Sequence, residues 1–196
     1  MTKRTSKKTT IVHDSLLVET AWEVCNQVGG IYTVIRSKAP AMMENHGEHY
    51  CMIGPYLNKS ILAELEPIDD TTSIFGLAAS NLSKRGYDVI YAEWLITGKP
   101  RVVLLNPNVI EEKTLSVIKY LLWKNHNISA PGGNKLIDQV IGFAYLTKLF
   151  VDELVKLEGS NKKIIAHFHE WMAGLPILDI KRDQMPVKTI FTTHAT

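Results

Sequence analysis

Apolar positions along this chain fall into two kinds of run, and their alternation predicts the architecture. Short β-branched or apolar runs predict strands at Ser15–Thr20, His49–Ile53, Tyr87–Trp94, Arg101–Leu105, Lys163–Phe168 and Val187–Thr192. Longer stretches with helical spacing predict helices over Ile31–Asn45, 109–124, Leu136–Leu157 and Glu170–Arg182. Gly54-Pro55 is expected to close the second strand. Residues 56–80 fit neither period, and Leu65-Glu66-Pro67 followed by Asp69-Asp70-Thr71-Thr72 reads as a surface excursion. Thr97-Gly98-Lys99-Pro100 carries turn chemistry between two strands, which predicts an antiparallel pair there. Strands alternating with helices elsewhere predict an α/β fold with a doubly wound, mostly parallel sheet. Pro131-Gly132-Gly133 breaks the chain before the longest helix. The expected organisation is a basic tail over residues 1–14 and one domain over 15–196.

Two of the strand ends carry most of the polar chemistry. The strand through Ile164 and Ile165 runs into His167, His169 and Glu170. Charged and tautomeric groups at the end of a buried strand cost free energy unless paired or used, and open α/β sheets hold their ligands at such ends. Residues two apart on a strand share a face, so the two histidines can converge. A metal reading needs a third ligand, for which His194 is the candidate, and His-x-His without a placed carboxylate or cysteine is a weak pattern. The other reading of His167 is a core histidine bonded to backbone. His169 and Glu170, at the strand-to-helix junction, are better placed to meet a ligand, although Glu170 also suits the positive end of the following helix.

Near the start, Asn26-Gln27-Val28-Gly29-Gly30-Ile31-Tyr32-Thr33 joins a strand to a helix. Paired glycines let backbone approach a ligand, and the helix N-terminus then offers N–H groups to an anion or a sugar hydroxyl. The same glycines also make an ordinary tight turn. Neither the dinucleotide G-x-G-x-x-G nor the P-loop pattern is present. Thr192-Thr193-His194 ends the last strand, as a second ligand edge or as a plain terminus. A strand that aims polar residues at such an edge is expected to continue into a loop and helix, so the chain reads as part of something longer. Of the four tryptophans, Trp94 and Trp171 are expected in the core, although Trp22, Trp94, Trp123 and Trp171 all have faces that can stack on sugar rings.

Composition narrows the classes without adding a site. The 196 residues are 45% hydrophobic and 21% charged, ordinary for a globular domain, with a net charge of +2. Part of that excess sits in Lys3, Arg4, Lys7 and Lys8, which gives no clustered basic face for nucleic acid. No apolar run approaches the roughly 18 residues of a membrane span, and His13, Asp14 and Ser15 interrupt any signal-peptide core. Two cysteines, Cys25 and Cys51, without metal spacing fit a reduced, cytoplasmic protein.

Four segments in order carry a resemblance. Glu19-Thr20-Ala21-Trp22-Glu23-Val24-Cys25-Asn26-Gln27-Val28-Gly29-Gly30-Ile31-Tyr32-Thr33-Val34, Glu93-Trp94-Leu95-Ile96-Thr97-Gly98 with Val102–Leu105, Ala166-His167-Phe168-His169-Glu170-Trp171-Met172-Ala173-Gly174, and Thr189-Ile190-Phe191-Thr192-Thr193-His194-Ala195-Thr196 resemble the eukaryotic-type glycogen synthases. The resemblance implies the Rossmann-like N-terminal domain of a GT-B type retaining glucosyltransferase, with the second domain outside this chain and no turnover by this part alone. It implies transfer of glucose from a nucleotide-diphosphate glucose, UDP-glucose foremost, to the 4-hydroxyl of an α-1,4-glucan, without metal or cofactor and in a homo-oligomer. It places Gly29 and Gly30 against the donor sugar-phosphate and His169 as the catalytic contact to the transferred glucose, with its carbonyl near the developing positive charge. Glu170 and His194 shape the same wall. The family's basic residue before Val-Gly-Gly is Gln27 here, an amide that donates a hydrogen bond but offsets no phosphate charge. That departure leaves the donor base open and keeps a second reading, a non-catalytic glucan-binding or regulatory relative.

Overall fold

A computed structural model describes residues 15–70, 72–159 and 161–194. The expected basic tail over 1–14 lies outside the described residues, as do Ala195 and Thr196. Among the described residues seven strands form one sheet: β1 (Ser15–Ala21), β2 (Tyr50–Pro55), β3 (Leu65–Pro67), β4 (Val89–Trp94), β5 (Arg101–Leu105), β6 (Lys163–His169) and β7 (Val187–Thr192). Their order is β3-β4-β5-β2-β1-β6-β7. Strands β5, β2, β1, β6 and β7 run parallel, while β4 is antiparallel to both β3 and β5. The helices are α1 (Gly30–His46), α2 (Ile74–Lys84), α3 (Glu112–His126), α4 (Lys135–Glu158), α5 (Trp171–Gly174) and α6 (Pro176–Arg182).

The central strands read as continuous apolar runs because helices cover both faces. Leu16, Val18, Cys51, Ile53, Val103 and Phe168 meet α2 and α4 through Phe75, Leu82, Phe143 and Phe150. Leu17, Ala21, Met52, Ala92 and Leu104 meet α1 through Tyr32, Ile35 and Ala39 on the other face. Full burial of a side chain the size of Phe143 or Leu104 is worth roughly 1.5–3 kcal/mol, so these two layers fix where the strand ends lie. Both cysteines are unpaired and buried, and burial pushes their thiols up.

Several expectations change. Leu65–Pro67 is an edge strand paired to β4, with Leu65 in the core, rather than a loose excursion. Gly54 and Pro55 lie inside β2 and pair with Leu104 and Leu105. The helix expected over Glu170–Arg182 is two pieces, because Pro176 has no N–H to continue the first. Trp171 is 52% exposed, against its expected place in the core, whereas Trp94 is fully buried and donates its Nε1–H to Glu64. The expected antiparallel pair is β4–β5, turned through Gly98 at φ +93, where a Cβ would lie 2.8 Å from the Pro40 backbone of α1.

Candidate functional site

The sheet order places a switch point between β1 and β6. After β1 the chain moves to β2 on one side; β6 then adds on the other side and leads outward to β7. The crevice beyond the C-terminal ends of such a strand pair is where doubly wound sheets bind ligands. Ala21, His169 and Thr192 lie in one register row at this edge. The Gly29-Gly30 turn follows β1, Glu170 follows β6, and His194 follows β7, so three of the sequence's candidate segments meet at one sheet edge.

At the centre lies a carboxylate that the sequence reading did not single out. Glu19, on β1, has no exposure. It accepts from the Tyr50 hydroxyl on β2, pairs with the Lys38 ammonium on α1, and lies 2.5 Å from His169 Nε2 and 3.8 Å from His167 Nδ1. Burial alone would raise its pKa. The His169 hydrogen bond, the Lys38 charge and the Tyr50 hydroxyl outweigh that and hold it at about 2. The sequence signal was a glutamate directly after the apolar run Leu16-Leu17-Val18, which needs a partner if the strand continues buried.

His169 is 2% exposed and engaged at both ring nitrogens. Its Nδ1 lies 2.8 Å from His194 Nε2, and the two rings stack at 5.0 Å. Both ring nitrogens are therefore covered, Nε2 by Glu19 and Nδ1 by the His194 ring. His167 is bonded to a side chain and not to backbone: its Nε2 is 2.8 Å from Thr192 Oγ1. Burial and its neighbour His169 lower the His167 pKa to about 4, so this ring is neutral at physiological pH. Glu170 sits at φ 60, ψ 172, a conformation few residues with a Cβ adopt. Its backbone N–H donates to the Thr192 carbonyl at 3.0 Å, and its carboxylate accepts from the His194 N–H.

The second unanticipated carboxylate fills the α1 N-terminus. Glu23 Oε2 accepts from the Gly29 N–H at 2.6 Å and the Tyr32 N–H at 3.0 Å. The sequence reading left these donors to an anionic ligand; the fold gives two of them to an internal anion. Gln27, Gly29 and Gly30 are all exposed beside it, so the turn still faces solvent. The sequence signal was a glutamate six residues before the first glycine, close enough to fold back onto the cap.

Glu19, His167 and His169 are also the donors a metal would need, all within 4.8 Å of one another. The third member is Glu19 and not His194. Lys38 already occupies the carboxylate oxygen that faces both rings. A cation there would have to displace an ammonium, so the cluster reads as a hydrogen-bonded network. Among the described residues, no helix is long and apolar enough to cross a membrane.

A family profile described as Glycogen synthase matches residues 19–196. The chain is 38% identical over 185 residues to "Glycogen [starch] synthase" of Neurospora crassa and 36% identical over 185 residues to "Glycogen [starch] synthase, liver" of Homo sapiens. It is 35% identical over 193 residues to "Glycogen [starch] synthase isoform 1" of Saccharomyces cerevisiae. Each alignment covers 94% of this chain but only 26% of the Neurospora and human proteins and 27% of the yeast one, so the chain spans about a quarter of the length of these relatives.

Proposed function

The chain belongs to the glycogen synthase family, and from that premise we propose that it forms one wall of a retaining glucosyltransferase site, in a protein that extends an α-1,4-glucan from a nucleotide-diphosphate glucose. The observation that carries this reading is the convergence of the Gly29-Gly30 turn, His169-Glu170 and His194 at the switch point of the sheet.

The geometry suits such a transfer. Breaking the bond between the sugar and the departing phosphate develops positive charge on the sugar ring. A fixed backbone carbonyl at His169, held by strand pairing and by the locked imidazole, offers a dipole that needs no reorganisation when that charge appears. An interaction that matters chiefly in the transition state raises turnover rather than ground-state binding. Gly29 and Gly30 allow close approach of backbone to the sugar-phosphate, and the exposed Gln27 adds an amide donor. Glu170 and His194 hold the far side of the pocket.

The test is incorporation of labelled glucose into glycogen by the intact protein, with UDP-glucose and ADP-glucose offered separately. Incorporation from UDP-glucose is expected, with a loss of turnover of about 100-fold or more in His169→Ala. No incorporation from either donor overturns the reading, and near-normal kcat in the variant overturns the part the His169 imidazole plays in fixing that carbonyl. Gln27→Lys is expected to tighten donor binding, because it adds charge opposite phosphate.

A further inference from the structure

We propose that Glu19 is a positioning residue that holds His169 in the Nε2–H tautomer, so that His169 Nδ1 presents a lone pair to a sugar hydroxyl and not a proton to a phosphate oxygen. The proposal rests on the glucosyltransferase reading for its substrate, and on the Glu19–His169–His194 geometry for its chemistry.

Glu19 is the shared acceptor of this network. Its carboxylate accepts from Tyr50 and Lys38 and has no exposure, so the 2.5 Å contact to His169 needs a proton, and Nε2 supplies it. Two bare acceptors at that distance would repel. A neutral imidazole protonated at Nε2 has a lone pair at Nδ1. The partner of Nδ1 is His194 Nε2 at 2.8 Å, which must then be the donor. Lys38 balances the Glu19 charge from α1, on the same carboxylate oxygen that meets His169. Among the described residues nearby, His167 lies tilted at 4.2 Å with its own Nε2 at Thr192, and the Glu170 carboxylate is directed to the His194 N–H.

The consequence concerns the substrate group. His194 is exposed, at the end of β7, while His169 is not. A ligand that displaces the His194 ring from Nδ1 must itself donate a hydrogen bond. A sugar hydroxyl meets that requirement and a fully ionised phosphate does not. His169 therefore selects the sugar end of a sugar nucleotide, and the phosphate is left to the Gly29-Gly30 side of the crevice. Glu19 touches none of these groups and acts through the ring.

Ring-15N histidine labelling of the intact protein reads the tautomer directly, with His169 assigned by its absence in His169→Ala. The expected wild-type pattern at pH 7 is a protonated Nε2 and an unprotonated Nδ1. Glu19→Gln keeps the shape but can turn its amide N–H toward the ring. It is expected to move His169 to the Nδ1–H form or a mixture and to lower kcat about 100-fold or more, with donor KM changed less. Tyr50→Phe removes a different Glu19 partner and is expected to keep the Nε2–H signature, which separates tautomer control from general loosening. A wild-type ring protonated at Nδ1 overturns the proposal, as does Glu19→Gln with an unchanged tautomer or with an altered tautomer and normal kcat. The spectra are read without substrate, so a protein that transfers no glucose fails the functional reading while the tautomer assignment stands or falls separately.

Discussion

At the β3–β4 flank, Lys99 reaches Glu66 at 3.1 Å and Glu93 at 3.9 Å, and the Lys99 and Glu66 side chains are more than half exposed. At the ends of β1 and β6, Lys38 reaches Glu19, which has no exposure, and two histidines and a tyrosine close around the same carboxylate. The residue types are the same and the consequences are opposite. Water solvates the charges at the flank whether or not they pair, and salt screens them. At the β1–β6 edge every group depends on the others, because removing one leaves a buried partner unmet. Paired charges in this fold thus mark a site only where the sheet withholds water.

The largest break in that contrast is Glu19→Ala. It strands Tyr50 and His169 without an acceptor and is expected to cost about 3 kcal/mol or more, read from the midpoint of urea unfolding at pH 7. Acid sharpens the same contrast. His167 is held at about 4 against its ordinary 6.5, so below 6.5 the unfolded chain binds a proton the folded one refuses, and stability falls as pH drops from 6.5 to 4. Glu19 is held at about 2 against 4.5, so its contribution is whole above 4.5 and is lost as pH falls towards 2, by on the order of 3 kcal/mol. Urea midpoints measured across pH 7 to 4 should therefore decline, and His167→Gln should flatten the upper part of that decline. Glu23→Ala, which takes the acceptor from Gly29 and Tyr32, is expected to cost about 1–2 kcal/mol in the same assay. Lys99→Ala should leave the unfolding midpoint unchanged within error, and a clear shift would erase the distinction between the two regions.

How much of this was legible follows the range of the interactions. The strands β1 and β7 and the long helix α4 declare themselves locally, the strands by short clusters of apolar and β-branched residues and the helix by its spacing over 24 residues. Helix α2 did not, because Gly76 sits inside it and looks like a breaker. A Cβ there would fall 2.0 Å from the Asp70 carbonyl, so the glycine serves a close approach and not a turn, and the visible start signal was the Ser73 cap on the Gly76 N–H. The motif around His169 and the Gly29-Gly30 turn could be read as chemistry. Their partners could not be assigned, since Glu19 and His169 lie 150 residues apart and only the sheet register brings them together. Glu23 was in plain view next to the turn, yet its carboxylate competes for the donors that the pattern seemed to offer a ligand.

Glu170 carries one more consequence. Its positive φ costs of order 1–3 kcal/mol for a residue with a Cβ, and glycine is the substitution that removes the cost. Glycine also removes the carboxylate that anchors the His194 N–H. A library of this chain screened for heat resistance would enrich glycine at position 170, and one screened for turnover in the intact protein would discard it. Opposite enrichment under the two screens would mark this position as one where selection has held function above fold.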